Sequence, residues 1–260
     1  MTWIYLSPHF DDAVYSCGGL IAMQAQSGQR VEIWTVCAGD VPPGPLTPFA
    51  EELHARWSAG REAVAVRRAE DEAACRILGA HPRHFTLPDC IYRRLPDGSP
   101  LIHANDDLWQ PVSAGEAVLV EQVASWLVET QDIASRFAGA ETQHIASLRR
   151  PGRPRLVCPL TVGGHVDHRL ARAAAESLGL RLWYYADYPY SKNAFEVERY
   201  LPGGRRGYAR RILPVALGLW QFATAAYSTQ LSSFWRDEAD MRCAITEYAE
   251  TPAGHSLWRS

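Results

Sequence analysis

Two short strings in the sequence hold the residue types that hydrolytic metal sites use. The first runs from Pro8 to Asp12 and contains His9, Asp11 and Asp12. Imidazole and carboxylate groups are the usual ligands of catalytic zinc, and an extra carboxylate can act as general base on a water molecule. Adjacent acids also repel each other, so a nearby cation would explain their placement. The alternative is that Asp11 or Asp12 only caps the following helix.

The second string runs from Gly163 to His168 and contains two histidines and an aspartate. His165 and His168 stand three residues apart, so they share a face if this string forms the first turn of a helix. Asp167 could then fix the tautomer of one of these rings. The alternative is a solvated helix start in which Asp167 only interacts with the helix dipole.

Each string follows a short apolar run that is typical of a buried strand. If these strands are parallel, both strings lie at the same edge of one sheet, where open α/β proteins place their sites. His9, Asp12 and His168 could then bind one cation and leave a position open for water. Three ligands with one open position are the pattern of a catalytic zinc site rather than a structural one.

The elements that position these strings follow a regular alternation of apolar runs and amphipathic segments over residues 1–190. This alternation predicts an α/β fold with a Rossmann-like, mostly parallel sheet, helices on both faces and the active site at the carboxyl edge. We expect strands at 3–6, 31–36, 84–87, 156–158 and 181–185. We expect helices at 12–26, 62–78, 115–129 and 167–178.

The chain is predicted to be one domain, residues 1–260, with both strings in the 1–190 core. Residues 191–260 are expected to form a C-terminal helical extension that packs on the sheet. Within it we expect a strand at 211–215 and helices at 217–235 and 238–248.

Composition excludes several classes of protein and partner. The 260 residues are 47% hydrophobic and 21% charged, which is typical of a folded soluble domain. Lys and Arg total 26 against 29 Asp and Glu, so no basic field exists to attract nucleic acid or an anionic membrane. No apolar stretch reaches bilayer length and no signal-peptide pattern opens the chain, so we expect a cytoplasmic protein without membrane insertion. The six cysteines stand singly, which argues against a disulfide framework or a thiolate zinc site.

The two strings and the segment Arg67-Arg68-Ala69-Glu70-Asp71 between them resemble the PIG-L/LmbE-like family of zinc-dependent N-acetylglucosaminyl deacetylases. The resemblance extends over about residues 3–190, with the motifs in the family's order. It implies that Asp11 is the general base. It also implies three metal ligands, namely His9, Asp12 and His168.

The resemblance further implies that His165 stabilises the oxyanion and protonates the leaving amine, with Asp167 orienting it. Arg67 is implied to face the sugar. Phe10 and Ala13 depart from the family pattern, which has a proline and an acid there. Neither position is implied to be a ligand or the base. The departures therefore leave the substrate undetermined but do not change the implied chemistry.

Other residues near the predicted active edge are candidate substrate contacts. Asp89, Tyr92 and Arg93 follow the third strand and could bind sugar hydroxyls or an anionic aglycone. The alternative for these three is ordinary loop packing. Asp187 follows a strand on the same edge and could support His165 or contact the substrate.

The predicted activity is removal of the acetyl group from a small-molecule N-acetylated sugar or glycoside by water that zinc activates. Iron(II), cobalt or manganese could replace zinc, because they accept the same ligands. One alternative is a metal- or carbohydrate-binding protein without catalysis. Another is a nucleotide-dependent transferase, which the absence of G-x-G-x-x-G and P-loop motifs disfavours. The sequence leaves the identity of the substrate open. It also leaves the oligomeric state open, and a homo-oligomer is possible.

Overall fold

The computed structural model describes residues 1–129, 154–192, 194–201 and 205–260, with only the backbone at 194–196 and 205–207. The described strands form one seven-stranded sheet in the order β3-β2-β1-β4-β5-β7-β6. Strands β1 to β5 are parallel, whereas β7 runs antiparallel to both β5 and β6. The strands are β1 Thr2–Ser7, β2 Arg30–Thr35, β3 His81–His84, β4 Arg155–Pro159, β5 Trp183–Tyr185, β6 Arg205–Ala209 and β7 Ser256–Arg259.

Helices cover both faces of this sheet. The α-helices of the described residues are α1 Asp12–Gln26, α2 Pro48–Arg56, α3 Ala63–Leu78, α4 Ala117–Glu129, α5 Val166–Ser177, α6 Ala194–Tyr200, α7 Pro214–Ala225, α8 Leu231–Phe234 and α9 Glu238–Ala249. Helices α1, α3 and α7 pack together in one layer, and α4 packs against α5 in the other. This division is what right-handed crossovers between parallel strands produce.

The position of β1 explains where the two strings meet. All six residues of β1 are buried, as expected for a central parallel strand that is covered on both faces. Tyr5 of β1 pairs with Ile33 of β2 on one side and with Val157 of β4 on the other. The chain leaves β1 toward β2 and later returns to β4, so a crevice opens between the carboxyl ends of β1 and β4.

The C-terminal extension packs directly on α1. Trp220 of α7 lies against Gly18 and Gly19, where a Cβ atom on either glycine would overlap the indole ring. The indole Nε1 of Trp220 donates a hydrogen bond to the Val14 carbonyl at 2.6 Å. The absence of side chains at these two glycines therefore lets α7 approach α1 closely.

The structure confirms the predicted fold class, and α1 has the predicted bounds. Strand β3 lies three residues earlier than predicted. The strand expected at 211–215 is wrong: β6 ends at Ala209, and Pro214 begins α7, as proline often does at the first helical position. The extension also adds β7, which the sequence did not predict. Within the described residues, no helix has the length and apolar character needed to cross a membrane. The single-domain boundary stays a prediction.

Candidate metal centre and active site

The loops after β1 and β4 bring the two strings together. After β1, the Ser7 hydroxyl donates to the His9 carbonyl at 2.5 Å and accepts from the Ala13 N–H at 3.0 Å, which fixes the first loop. After β4, Gly163 and Gly164 adopt φ values of 86° and 80°, a region that favours glycine. These two turns aim the histidines of both strings into the crevice.

Carboxylates behind two histidines set which ring nitrogen faces the crevice. Nε2 of His9 lies 3.0 Å from Asp167 Oδ2, and Nδ1 of His168 lies 2.6 Å from Asp187 Oδ1. A ring nitrogen that donates to a carboxylate leaves the lone pair of the other nitrogen free for a metal. The free nitrogens, Nδ1 of His9 and Nε2 of His168, lie 3.1 and 3.3 Å from the same oxygen, Oδ2 of Asp12.

The electrostatics of this cluster favour a cation. Burial lowers the pKa of His168, but Asp12 and Asp187 outweigh burial and raise that pKa to about 10. Burial would raise the pKa of Asp12, yet His168 and His9 hold it well below its usual value. The site therefore attracts positive charge, and His9, Asp12 and His168 provide the nitrogen and oxygen donors that divalent zinc accepts.

Asp11 lies beside the cluster with a carboxyl group suited to proton exchange. The Asp11 side chain is buried, and its Oδ1 atom lies 3.5 Å from Nη2 of Arg67. Burial raises the pKa of Asp11, Arg67 opposes this effect, and Asp12 adds to it, which gives a pKa of about 6. A carboxyl group with a pKa near neutrality can both accept and return a proton under physiological conditions.

His165 caps α5 and presents a neutral N–H to the crevice. Its Nδ1 atom accepts a hydrogen bond from the Asp167 backbone N–H at 3.2 Å, so the ring proton lies on Nε2. Burial lowers the pKa of His165, and His9 and His168 lower it further. The sequence predicted that Asp167 orients His165; the Asp167 backbone does so, while its carboxylate contacts His9.

Arg93 and Asp187, two candidate substrate contacts from the sequence, lie behind the crevice instead of lining it. Nη2 of Arg93 lies 2.6 Å from Asp167 Oδ1, and its Nε lies 2.8 Å from Glu116 Oε1. Both Arg93 and Asp187 are buried and outside the set of side chains that line the crevice. They are therefore partners of Asp167 and His168.

Tyr92 also faces away from the predicted metal ligands. Its hydroxyl lies 2.5 Å from His54 Nε2, and its ring lines a separate hollow of about 490 Å³. Ile91 lines both this hollow and the crevice, so the two spaces adjoin.

The crevice is a pocket of about 310 Å³ with two kinds of lining. We call its charged part the polar floor, which consists of His9, Asp11, Asp12, Arg67, Asp89, His165 and His168. Asp89 Oδ2 lies 3.7 Å from His9 Nε2 and 3.9 Å from Arg67 Nη1. The Arg67 guanidinium also lies 4.8 Å from the Trp57 ring centroid. The structure therefore places Arg67 and Asp89 in the lining of the pocket, and their contact with a substrate stays a prediction.

The apolar rim is the second lining, and the sequence did not predict its members as site residues. It consists of Leu53, Trp57, Ile91, Leu108, Trp109, Tyr190 and Phe234. The Trp109 ring lies 5.6 Å from His165 and 5.4 Å from Tyr190, centroid to centroid. A tryptophan in the otherwise polar insertion after β3 was the available signal for Trp109. Phe234 had no comparable signal, because it stands in an aromatic-rich stretch whose spacing is typical of helical core residues.

Comparison with known proteins gives a family and several relatives. Residues 4–179 match the PIG-L family, described as GlcNAc-PI de-N-acetylase. A 2'-N-acetylparomamine deacetylase of Streptomyces fradiae is 29% identical over 78% of this chain, which spans 63% of that protein's length. A protein of the same description from Niallia circulans is 26% identical over 92% of this chain and 84% of its own length.

Solved structures agree with this family match. Teicoplanin deacetylase Orf2, in a zinc-inhibited form, is 28% identical with a TM-score of 0.75, covering 100% of this chain and 97% of its own. The A40926 pseudoaglycone deacetylase Dbv21 is 27% identical with a TM-score of 0.64, covering 98% of this chain and 94% of its own. Because the family match covers more than half of the residues of this chain, the chain belongs to the PIG-L family.

Proposed function

We propose that this chain is a metal-dependent hydrolase that removes the acetyl group from an N-acetylated amino sugar or its glycoside. The observation that carries the proposal is the convergence of His9 Nδ1 and His168 Nε2 on Asp12 Oδ2, with the buried Asp11 carboxyl alongside. The relatives, which are described as 2'-N-acetylparomamine deacetylases and as a teicoplanin deacetylase, support the same reaction class.

Zinc is the metal we assign first to His9, Asp12 and His168, since its preferred donors are present. A divalent ion held there would polarise the acetyl carbonyl and lower the pKa of a coordinated water. Iron(II), cobalt or manganese could take the same donors. One relative is described in a zinc-inhibited form, so the amount of added zinc must be varied in any assay.

Asp11 and His165 divide the proton chemistry in this proposal. Asp11 takes a proton from the attacking water, for which its pKa of about 6 suits it. The Nε2–H of His165 donates to the oxyanion of the tetrahedral intermediate, and one such donor contributes roughly 3–4 kcal/mol.

The proton for the departing amine needs a source as the C–N bond breaks. Neutral His165 would become an imidazolate if it gave up its only ring proton, because its Nδ1 already accepts the Asp167 N–H. We therefore assign this delivery to Asp11, which carries the proton taken from water. The products are the free amine and acetic acid, which releases its own proton to solvent as acetate, and Asp11 returns to its carboxylate form. This assignment differs from the sequence expectation for His165.

The apolar rim supports a sugar that bears an apolar group over one that bears several ammonium groups. Outside the polar floor, Arg56 is the one charged side chain among the described residues that line the pocket. A polycationic acceptor would find no free carboxylate at the rim, whereas an aryl or alkyl group could cover its aromatic side chains.

The test combines metal content with acetate release. We expect about one divalent ion per chain in the wild type, loss of that ion in His168→Ala, and acetate release from N-acetylglucosamine or its aryl glycosides. His81→Ala is the matched control, since His81 is exposed on β3. A wild type that stays metal-free after supplementation would contradict the metal site. Bound metal without release of acetate from any N-acetyl sugar would favour the binding-protein alternative.

A further inference from the structure

A stretch beyond the family match forms one side of the pocket. We call it the 227–235 segment; it follows α7, contains α8 and ends at Trp235. Gln230, Ser233 and Phe234 of this segment line the pocket. Trp235 anchors its end, because the indole stacks on Tyr188 with ring centroids 6.0 Å apart. The segment therefore belongs to the site although it follows residue 179, where the family match ends.

One carboxylate holds the beginning of this segment. Glu70 Oε1 accepts hydrogen bonds from the Ser228 hydroxyl at 2.7 Å and from the Thr229 N–H at 2.9 Å. Glu70 Oε2 accepts from the Thr229 hydroxyl at 2.7 Å. The Gln230 amide donates to that same hydroxyl at 3.0 Å. Glu70 thus connects through Thr229 to a side chain that lines the pocket.

A second contact joins the segment to the loop of the first string. The Tyr227 hydroxyl lies 2.9 Å from the Phe10 carbonyl oxygen and 2.7 Å from Asp71 Oδ1. His84 Nε2 lies 2.7 Å from the other Asp71 oxygen. Tyr227 and Asp71 are fully buried. Phe10 stands between a proposed metal ligand and the proposed base, so its carbonyl controls the course of that loop.

Helix α3 supplies both contacts from one face. Arg67, Glu70 and Asp71 occupy positions i, i+3 and i+4, which lie next to each other on a helix. Arg67 faces the base Asp11, while the two acids bind the 227–235 segment. The floor and this side of the pocket are therefore set by the same rigid element.

We propose that the 227–235 segment selects the substrate through its contact with Glu70, and that Tyr227 is a positioning residue for the Asp11 loop. The proposal rests on the deacetylase function proposed above. The two contacts have separate roles: Glu70 affects the binding of groups attached to the sugar, and the Tyr227 hydroxyl affects turnover. Small displacements of reacting groups are costly, with about 1 Å able to reduce a rate about a hundredfold.

The experiment compares Glu70→Ala with Tyr227→Phe on two substrates, N-acetylglucosamine and an aryl glycoside of it. For Glu70→Ala we expect KM for the aryl glycoside to rise about tenfold, with kcat and the KM of the free sugar within about twofold. For Tyr227→Phe we expect kcat to fall about tenfold to a hundredfold on both substrates, with KM and metal content unchanged.

Matched variants separate these roles from general damage to the fold. Tyr5→Phe also removes a buried tyrosine hydroxyl bond, the one to Gln24 at 2.9 Å, but lies outside the pocket lining. It should leave both kinetic constants near wild type. Glu70→Gln should restore KM, because its amide can accept from Ser228 and donate to the Thr229 hydroxyl. If Glu70→Ala does not fold, Thr229→Val should raise KM in the same direction by a smaller factor.

Specific outcomes would overturn the proposal. Equal changes of kcat and KM in both variants would show that the two contacts do not have separate roles. A KM that rises equally for the free sugar and the aryl glycoside would show that the segment does not select the attached group. Absence of acetate release by the wild type would instead defeat the proposed function. In that case the inference can still be tested by measuring the binding of the aryl amino-sugar product by calorimetry. Glu70→Ala should weaken this binding about tenfold, whereas Tyr227→Phe should leave it unchanged.

Discussion

The polar floor and the apolar rim of the pocket differ in how the chain builds them. Floor residues such as His9 and His165 follow the ends of two neighbouring central strands, and their ring nitrogens have buried partners. Rim residues such as Trp109 and Phe234 come from a 3₁₀ turn in a long insertion and from a four-residue helix. The sheet therefore fixes the chemistry, while the segments that surround it determine what can approach.

This difference has an energetic cause. A buried charge without a partner is very costly, so each floor residue depends on a network that extends away from the pocket. Asp167, for example, is fully buried and contacts both His9 and Arg93. Phe234 is 36% exposed and needs no polar partner. Changes in the floor should therefore affect turnover or folding, and changes in the rim should affect substrate binding alone.

The largest effect is expected at the base of the floor. Asp11→Asn removes the proposed acceptor of the water proton but keeps the proposed ligands, so kcat should fall about 10²- to 10⁴-fold. Metal content and KM should stay near wild type, as measured by elemental analysis and acetate release. Asp40→Asn is a matched control, because the Asp40 side chain is 83% exposed. Loss of metal in Asp11→Asn would contradict the separation of base and ligands.

The next effect tests whether a floor residue depends on a partner outside the pocket. Arg93→Met removes the guanidinium partner of two buried carboxylates, Asp167 and Glu116. The free energy of unfolding should fall by about 3–5 kcal/mol, measured by urea denaturation. Arg236→Met removes an exposed ion pair and should leave stability nearly unchanged. Similar, small losses in the two variants would show that the floor does not depend on this network.

A smaller effect is expected at the rim. Phe234→Ala removes an aromatic face from the pocket mouth, so KM for an aryl glycoside should rise about threefold to tenfold with kcat unchanged. The matched control is Phe222→Ala, because Phe222 is 57% exposed and lies outside the pocket lining. A fall in kcat for Phe234→Ala would mean that rim and floor are not independent.

The sequence predicted much of the floor because its signal is local. His9, Asp11 and Asp12 directly follow a buried apolar strand, and the ends of parallel strands meet at one edge. The partners of these groups were harder to predict. Which ring nitrogen Asp167 contacts depends on the neighbours that folding provides, including Arg93 from another loop.

The rim could not be predicted because its members share no periodicity and meet through long-range contacts. Trp109 and Tyr190 lie far apart in the chain, yet their ring centroids are 5.4 Å apart. Strand β7 was missed for a related reason: it is a four-residue segment whose strand partners are β5 and β6. Nothing in a short segment alone indicates such pairing.

The smallest effect concerns the hydroxyl proton of Tyr227, which lies between Phe10 and Asp71. Tyr227 has one hydroxyl proton but two oxygen acceptors, Phe10 O and Asp71 Oδ1. Burial raises the pKa of Asp71, and its hydrogen bonds to His84 and Tyr227 oppose this effect. A group that donates to the Tyr227 hydroxyl from this position would leave the tyrosine proton for Phe10 O. Asp71→Asn supplies such a donor from its amide. It should keep kcat within about twofold of wild type.

The contrast for this prediction is Asp71→Ala, which has neither donor nor acceptor at that position. It leaves His84 Nε2 and the Tyr227 hydroxyl without their shared partner, so kcat should fall about tenfold in acetate-release assays. Equal losses in Asp71→Asn and Asp71→Ala would mean that Tyr227 needs the Asp71 charge, and not a donated proton, to hold the Phe10 carbonyl. If Asp71→Asn keeps kcat and Asp71→Ala does not, turnover at the polar floor depends on one hydrogen bond from Tyr227 of the C-terminal extension.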